Sequence, residues 1–196
     1  MVLLCLVTRN KSICTTTLHS AMTVAMVCME KSLSLEVQFH VDRSTLSKAL
    51  KNTHEEKMMW IDYGVSIDKE TIERLLFPVE KYKVLVVPCV LEGVDWKKFK
   101  ETTDGPVHQR GLHFDTKAIV SPKSNVAEFV SSVNDGRIIC FDVKHVNKKG
   151  GYKSLDHLKT VLGVKIGVLR SANVTCHYVY ECFGNIIESS GVRVAP

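Results

Sequence analysis

The stretch KMMWIDYGVSID, residues 57–68, decides how the fold is interpreted. Its apolar run at 58–61 predicts a strand that crosses the core, because continuous apolar runs are typical of strands buried on both faces. The run ends in Asp62, Tyr63 and Gly64. A carboxylate placed directly after buried residues is costly unless it is satisfied. We therefore expect Asp62 either to cap a turn or to form part of a functional site.

Working outward, further apolar runs alternate with helical patterns. Residues 2–7, 36–41 and 83–89 predict strands before and after 58–61, and helical patterns lie between them. This alternation predicts an α/β protein with a mostly parallel central sheet flanked by helices. A helical stripe at the first of these patterns is expected to pack in the core; it comprises Leu18, Met22, Ala25 and Met29. The alternation in 36–41 places Val37, Phe39 and Val41 on one face of a strand.

Composition limits the class of protein. The 196 residues are 45% hydrophobic and 24% charged, which fits one globular domain over 1–196. A net charge of +5 suits phosphate-bearing ligands, whereas the lack of an arginine-rich arm or lysine block predicts no nucleic-acid partner. Seven scattered cysteines without a C-x-x-C pair indicate a reducing, intracellular and cytoplasmic location. No apolar run reaches membrane-spanning length, so no membrane span is predicted.

Three segments together resemble a known family. They are DRSTLSKALKN at 42–52, MMWIDYG at 58–64 and KVLVVPCVLEGVDW at 83–96, and they look like the nucleotide-binding half of a glycosyltransferase of the A-type fold. The run VVPCVLEGVDWKKFK, followed by QRGLHFDT, is similar to glycosyltransferase-like proteins of large DNA viruses. The resemblance implies a Rossmann-like fold, a virus-encoded protein, a nucleotide-binding half at 1–91 and an acceptor and catalytic half at 92–196. It also implies transfer of a sugar from a nucleoside-diphosphate donor to a glycan or protein acceptor.

The same resemblance implies a metal, but one motif departs from it. The family's Asp-x-Asp motif holds Mn²⁺ or Mg²⁺ and the sugar diphosphate, whereas this chain has Asp62, Tyr63 and Gly64 in its place. Asp62 and a late histidine, His177, are the candidate metal ligands that remain; the apolar and aromatic neighbours of His177 alternatively indicate a satisfied core residue. The missing carboxylate leaves an alternative open, in which the protein is catalytically degenerate and acts as a binding or structural component.

Other site residues follow from their places after strands. Ligands of open α/β sheets bind at the carboxyl ends of strands, which selects Thr8, Arg9 and Asn10 as nucleotide-binding residues, or alternatively as an ordinary turn. Arg43 and Lys48 lie in the polar helical segment that the resemblance assigns to the nucleotide, and alternatively they are ordinary surface charges. An inverting transferase needs a carboxylate to take the proton of the acceptor hydroxyl. The candidates are Asp115 in GLHFDT, which alternatively caps its own turn, and Asp142 in ICFDVKH.

Overall fold

Strands supply most of the architecture. The computed structural model describes residues 1–78, 82–104, 107, 110–121, 124–182 and 185–194, and beyond residue 178 it describes the backbone only. The strands are β1 (Val2–Val7), β2 (Leu35–His40), β3 (Lys57–Ile61), β4 (Val65–Ile67), β5 (Val84–Val87), β6 (Thr116–Ile119), β7 (Val126–Ser132), β8 (Ile138–Asp142), β9 (Ile166–Leu169), β10 (Asn173–Cys182) and β11 (Asn185–Val194). Each apolar run named above coincides with one of these strands.

The helices are short apart from the first. They are α1 (Thr15–Glu30), α2 (Leu46–Asn52), α3 (Lys69–Leu76), α4 (Trp96–Glu101), α5 (Val143–Lys148) and α6 (Leu155–Thr160), and a 3₁₀ turn, Arg43–Thr45, precedes α2. The side chains of Asp68, Asp95, Asp142 and Ser154 each accept a backbone hydrogen bond as N-caps, which satisfies an amide that the helix leaves unpaired. Among the described residues, no helix has the length and apolarity that crossing a membrane requires.

The large sheet is mixed, which corrects the expectation of a mostly parallel one. Its described strands run in the order β2-β1-β3-β8-β5-β9-β7-β6. β7 and β8 run against the other strands, so four of the seven neighbouring pairs are antiparallel. The prediction of a mostly parallel, Rossmann-like sheet of the A-type transferase kind is therefore wrong. The physical reason is that a continuous apolar run indicates burial on both faces and carries no information about strand direction.

Both faces of this sheet are buried beneath helices. Alternate residues of β1 point to opposite faces: Leu4 and Leu6 pack with α1 and α3, whereas Leu3 and Cys5 pack with α2, α5 and α6. Trp60, in the middle of β3, is fully buried on the second face. The strand that precedes Asp62 is thus held firmly from both sides.

A smaller sheet forms at the end of β3. It contains β4, β10 and β11, with β4 antiparallel to β10. The outer edge of β4 is covered by α1, because Ser20 Oγ donates a hydrogen bond to the Val65 carbonyl and accepts one from the Ile67 amide. Thr17 Oγ1 accepts a hydrogen bond from the Gly64 amide. This arrangement turns the polar face of α1 inward.

The orientation of α1 overturns the prediction that its methionine stripe lies in the core. The buried residues of the helix are Thr17, Ser20, Val24, Val27 and Cys28. The stripe that begins at Leu18 is exposed instead, and Met29 is 80% exposed. Helical periodicity identified the helix correctly, but the hydrogen bonds to β4 select a different face for burial.

Candidate functional site

A cleft of about 460 Å³ opens where several strands of the large sheet end or begin. We call it the strand-end cleft. It lies at the carboxyl ends of β1, β2, β3 and β5, at the beginning of β8, and beside β10. Its volume lies within the range of small-molecule sites. The lining residues are Val7, Thr8, Arg9, Val41, Asp42, Arg43, Asp62, Tyr63, Val90, Leu91, Glu92, Arg137, His177 and Tyr178.

A tight turn after β1 positions the first pair of lining residues. The Arg9 amide donates to the Ser12 carbonyl at 2.9 Å and the Ser12 amide donates back to Arg9 at 2.8 Å. Asn10 and Lys11 between them both have positive φ, which is the geometry of a type I′ turn. Thr8 Oγ1 donates to the His40 carbonyl at 3.0 Å and so ties the ends of β1 and β2 together. Thr8 and Arg9 line the cleft, whereas Asn10 lies in the turn outside it.

An ion pair occupies the floor of the cleft. Arg43 Nη2 lies 3.0 Å from Asp62 Oδ2, and Trp60 Nε1 donates to Asp62 Oδ1 at 2.6 Å. Arg43 Nη1 also donates to the Asn134 carbonyl in the turn before β8. Burial raises the pKa of Asp62 above its usual value, while Arg43, the Trp60 hydrogen bond and Arg137 act in the opposite direction. Asp62 is therefore a partly buried carboxylate that is satisfied by its neighbours, as its place after a buried strand requires.

Arg137 is a third arginine of the cleft. It immediately precedes β8, and its guanidinium donates to the Tyr63 carbonyl. Its own carbonyl accepts a hydrogen bond from the Asp62 amide at 2.9 Å. Because β8 is antiparallel to β3, the beginning of β8 lies beside the end of β3. Strand direction therefore brings Arg137 to the same edge of the sheet as Asp62.

Gly64 explains the departure from the Asp-x-Asp motif. Its φ is +81°, in the left-handed region that residues with a side chain rarely adopt. A Cβ atom at this position would lie 2.8 Å from the backbone oxygen of His177 on β10. The Gly64 carbonyl in turn accepts a hydrogen bond from the His177 amide at 2.6 Å. The close approach of two backbones therefore excludes a carboxylate at residue 64.

Lys48 and Asp142 also lie outside the strand-end cleft. Lys48 is on α2 and lines a separate hollow together with Glu36, Gln38 and His40. Asp142 is at the far end of β8, opposite Lys57 at the beginning of β3, so a full strand length separates it from Asp62. There it caps α5 through the His145 amide and pairs with Lys83 at 3.1 Å.

Asp115 is buried behind the cleft and does not line it. The residue is 2% exposed. Its Oδ1 accepts hydrogen bonds from the Cys89 amide at 3.0 Å and from Thr116 Oγ1 at 2.9 Å, which joins the chain after β5 to the beginning of β6. Burial raises its pKa to about 6. As the structure places it, this carboxylate holds two backbone segments together and is closed to an acceptor.

The donor set of the cleft does not fit a resident divalent cation. Mg²⁺ and Mn²⁺ take several hard oxygen ligands, but both oxygens of Asp62 are already engaged by Trp60 and Arg43. His177 does lie in the cleft, yet Gly64 cannot supply the second carboxylate. Across the part of the chain that the structure describes, no group of three or more His, Cys, Asp or Glu side chains could hold a metal ion.

Of the residues selected from the sequence, the structure brings together Thr8, Arg9, Arg43, Asp62 and His177. Sequence reasoning missed Tyr63, Glu92, Arg137 and Tyr178, which also line the cleft. Tyr63 and Tyr178 directly follow the selected residues Asp62 and His177, and Arg137 directly precedes β8. The orientation of β8 was the signal needed for Arg137. No protein-family model matches this chain, and no curated protein matches it either.

Proposed function

We propose that the strand-end cleft binds a nucleoside-diphosphate sugar and that the protein is a glycosyltransferase-like protein acting on such a donor. The observation that carries the proposal is the lining of one cleft by three arginines and three carboxylates. The arginines are Arg9, Arg43 and Arg137, and the carboxylates are Asp42, Asp62 and Glu92.

The mixed charge favours this class of ligand over a simple anion. Guanidinium groups match the oxygens of a diphosphate and remain charged at any physiological pH. Carboxylates would repel a bare phosphate, but they accept hydrogen bonds from ribose and sugar hydroxyl groups. A ligand that carries both a diphosphate and many hydroxyls satisfies both sets of side chains. Tyr63 and Tyr178 add aromatic surface on which a base or a sugar ring can pack.

Arg43 is the residue best prepared to bind the diphosphate. Its guanidinium is anchored by Asp62 and by the Asn134 carbonyl. Its buried Nε has no hydrogen-bond acceptor among the described residues, and an unsatisfied buried donor is costly. In this proposal arginine side chains neutralise the leaving diphosphate, a role that a metal ion fills in other transferases.

Glu92 is our candidate for the base in a transfer reaction. It is exposed and follows β5, whereas Asp42, the other exposed carboxylate of the cleft, accepts a hydrogen bond from the Ser44 amide. In transfer, the acceptor oxygen forms a bond to the anomeric carbon of the sugar while the bond from that carbon to the diphosphate breaks. The proton of the acceptor hydroxyl passes to the carboxylate.

Binding is tested by calorimetry with uridine, guanosine and cytidine diphosphates and their sugars. We expect at least one to bind, and Arg43→Gln to weaken that affinity roughly tenfold to a hundredfold, because hydrogen bonds to charged groups contribute about 1.5–3 kcal/mol. Lys48→Gln is the matched control, since Lys48 is a nearby cation that faces a different hollow. Replacing Mn²⁺ by a chelator should change the affinity less than about tenfold. No binding across the whole panel would refute the proposal.

Catalysis is tested separately with the donor that binds. Release of free nucleoside diphosphate, lost in Glu92→Gln while donor affinity is kept, would support a transferase. Tight binding with no release in the presence of glycan and protein acceptors would favour the catalytically degenerate alternative. The burial of Asp115 and the distant position of Asp142 are the observations that keep this alternative in consideration.

A further inference from the structure

An exposed apolar surface lies at one edge of the large sheet. It combines the outer flank of α1 with β2, and we call it the α1–β2 surface. Met29 is 80% exposed and Phe39 is 63% exposed. Its members on the helix are Leu18, Met22, Met26 and Met29. Its other members are Val37 and Phe39 of β2 and Val41, the residue after β2.

The two parts of this surface lie on the same side of the large sheet. Val37 and Phe39 are opposite Leu4 and Leu6 of β1, so they share the sheet face on which α1 packs. The other flank of α1 is occupied by β4 and α3, where Lys69 pairs with Glu30 and Ser20 binds the β4 backbone. The methionine stripe lies on the side of α1 opposite its buried residues and therefore faces away from the sheet.

The backbone of β2 is open at this edge of the sheet. β2 is the end strand of the sheet, with β1 as its neighbour among the described strands. The carbonyls of Ser34 and His40 accept hydrogen bonds from β1 and from the residue after it. In a parallel pair only alternate residues bond to one neighbour. The even-numbered residues thus face β1, and the odd-numbered ones present their amides and carbonyls to the open edge.

A second β2 strand matches this edge in one antiparallel register. With Gln38 opposite Gln38 of the second copy, Val37 lies opposite Phe39, and residue 35 lies opposite residue 41. Apolar side chains then meet apolar side chains on the α1 face. On the other face Glu36 lies opposite His40, which pairs an acid with a base. All the odd-numbered backbone groups fall in hydrogen-bonded pairs.

We infer that two copies of this chain form a two-fold symmetric dimer through the β2 edge of the α1–β2 surface, with their β2 strands antiparallel. At roughly 150 Å² per fully accessible large side chain, the exposed fractions of Val37, Phe39 and Val41 amount to roughly 270 Å² of apolar area per copy. A symmetric copy paired along β2 covers this area, and exposed sheet edges are favoured sites of strand pairing.

The oligomeric state of the full chain is the first test, measured by analytical ultracentrifugation. We expect a dimer whose dissociation constant rises roughly a hundredfold in Phe39→Lys, since each dimer loses two central aromatic contacts. Ile119→Lys is the matched control, because Ile119 is 64% exposed on the strand at the opposite edge of the sheet. A monomer at all concentrations up to about 100 µM, two decades above the micromolar range, overturns the inference. So does a dimer that Ile119→Lys dissociates and Phe39→Lys leaves intact.

The register is tested by cross-linking in a Cys182→Ser background, where the six remaining cysteines are buried. A Gln38→Cys chain should form a disulfide-linked dimer under mild oxidation, because Cα atoms in a non-hydrogen-bonded antiparallel pair are about 4.5 Å apart. Glu36→Cys should not, since its symmetric copies lie four residues apart, about 13 Å. Cross-linking of Glu36→Cys without that of Gln38→Cys refutes this arrangement.

Discussion

Replacing Gly64 by alanine tests the central geometric claim about the quoted stretch. The residue has a φ of +81°, and the added Cβ would lie 2.8 Å from the His177 carbonyl oxygen. The left-handed conformation alone costs a residue with a side chain about 1–2 kcal/mol. Overpacking against a fixed neighbour adds about 1–3 kcal/mol. Because the neighbour is strand backbone, it cannot rotate away, and we expect a total loss of about 2–5 kcal/mol in the free energy of unfolding.

A second glycine separates the two causes. Gly151 has a φ of +84°, but nothing lies within 4 Å of the Cβ it would acquire. Gly151→Ala should therefore lose about 1–2 kcal/mol from conformation alone. Urea unfolding followed by circular dichroism measures both variants against the unmodified protein. Equal losses in the two variants would show that β10 does not press against residue 64, and the explanation of the missing carboxylate would fail.

The aspartate variant at the same position extends the test to function. Gly64→Asp restores the Asp-x-Asp pattern, yet we expect destabilisation at least as large as with alanine and no new effect of Mn²⁺ on nucleotide affinity. The reason is that the carboxylate would be built on a backbone that has no room for its Cβ. A stable Gly64→Asp protein whose nucleotide affinity rises a hundredfold with Mn²⁺, about 2.7 kcal/mol, would contradict this reasoning.

Two more substitutions test the predicted bases. Burial raises the pKa of Asp115 to about 6, so the folded state holds this proton more tightly than the unfolded chain, whose pKa is about 3.9. Its contribution to the free energy of unfolding is complete below about pH 4 and is lost as the pH rises to about 6. Unfolding curves at these two pH values should show a decrease of up to about 3 kcal/mol in the unmodified protein, and this decrease should be absent in Asp115→Asn. Asp142→Ala should cost about 1 kcal/mol through the lost α5 cap and leave nucleotide affinity unchanged by calorimetry. A large loss of nucleotide affinity in Asp142→Ala would place the ligand at the opposite edge of the sheet.

Much of the site could be predicted because strand ends are visible in the sequence. The boundary between a buried run and polar residues identified Thr8, Arg9 and Asp62, and the structure places all three in one cleft. The carboxyl ends of neighbouring strands with the same direction meet at one edge of a sheet. That rule needed only β1, β2 and β3, which are parallel to one another.

The face of α1 could not be predicted from its own residues. An apolar stripe at helical spacing normally faces the core, whereas here Thr17 and Ser20 face inward and the methionines face out. The buried polar residues are satisfied by the Gly64 amide and the backbone of β4. Those partners are about 47 residues away in the sequence, so local periodicity carries no trace of them.

The direction of β8 is the single cause that decides where Asp142 and Arg137 lie. If β8 were parallel to β3, Asp142 at its end would lie beside Asp62, and Arg137 at its beginning would lie at the far edge. The antiparallel pairing exchanges the two: Ile138 is opposite Ile61, and Asp142 is opposite Lys57. A cleft that was expected to contain an acid from this strand contains an arginine instead. Arg137 therefore lies where the base Asp142 had been expected. In the function proposed above, this exchange favours neutralisation of the diphosphate by arginine over neutralisation by a metal ion.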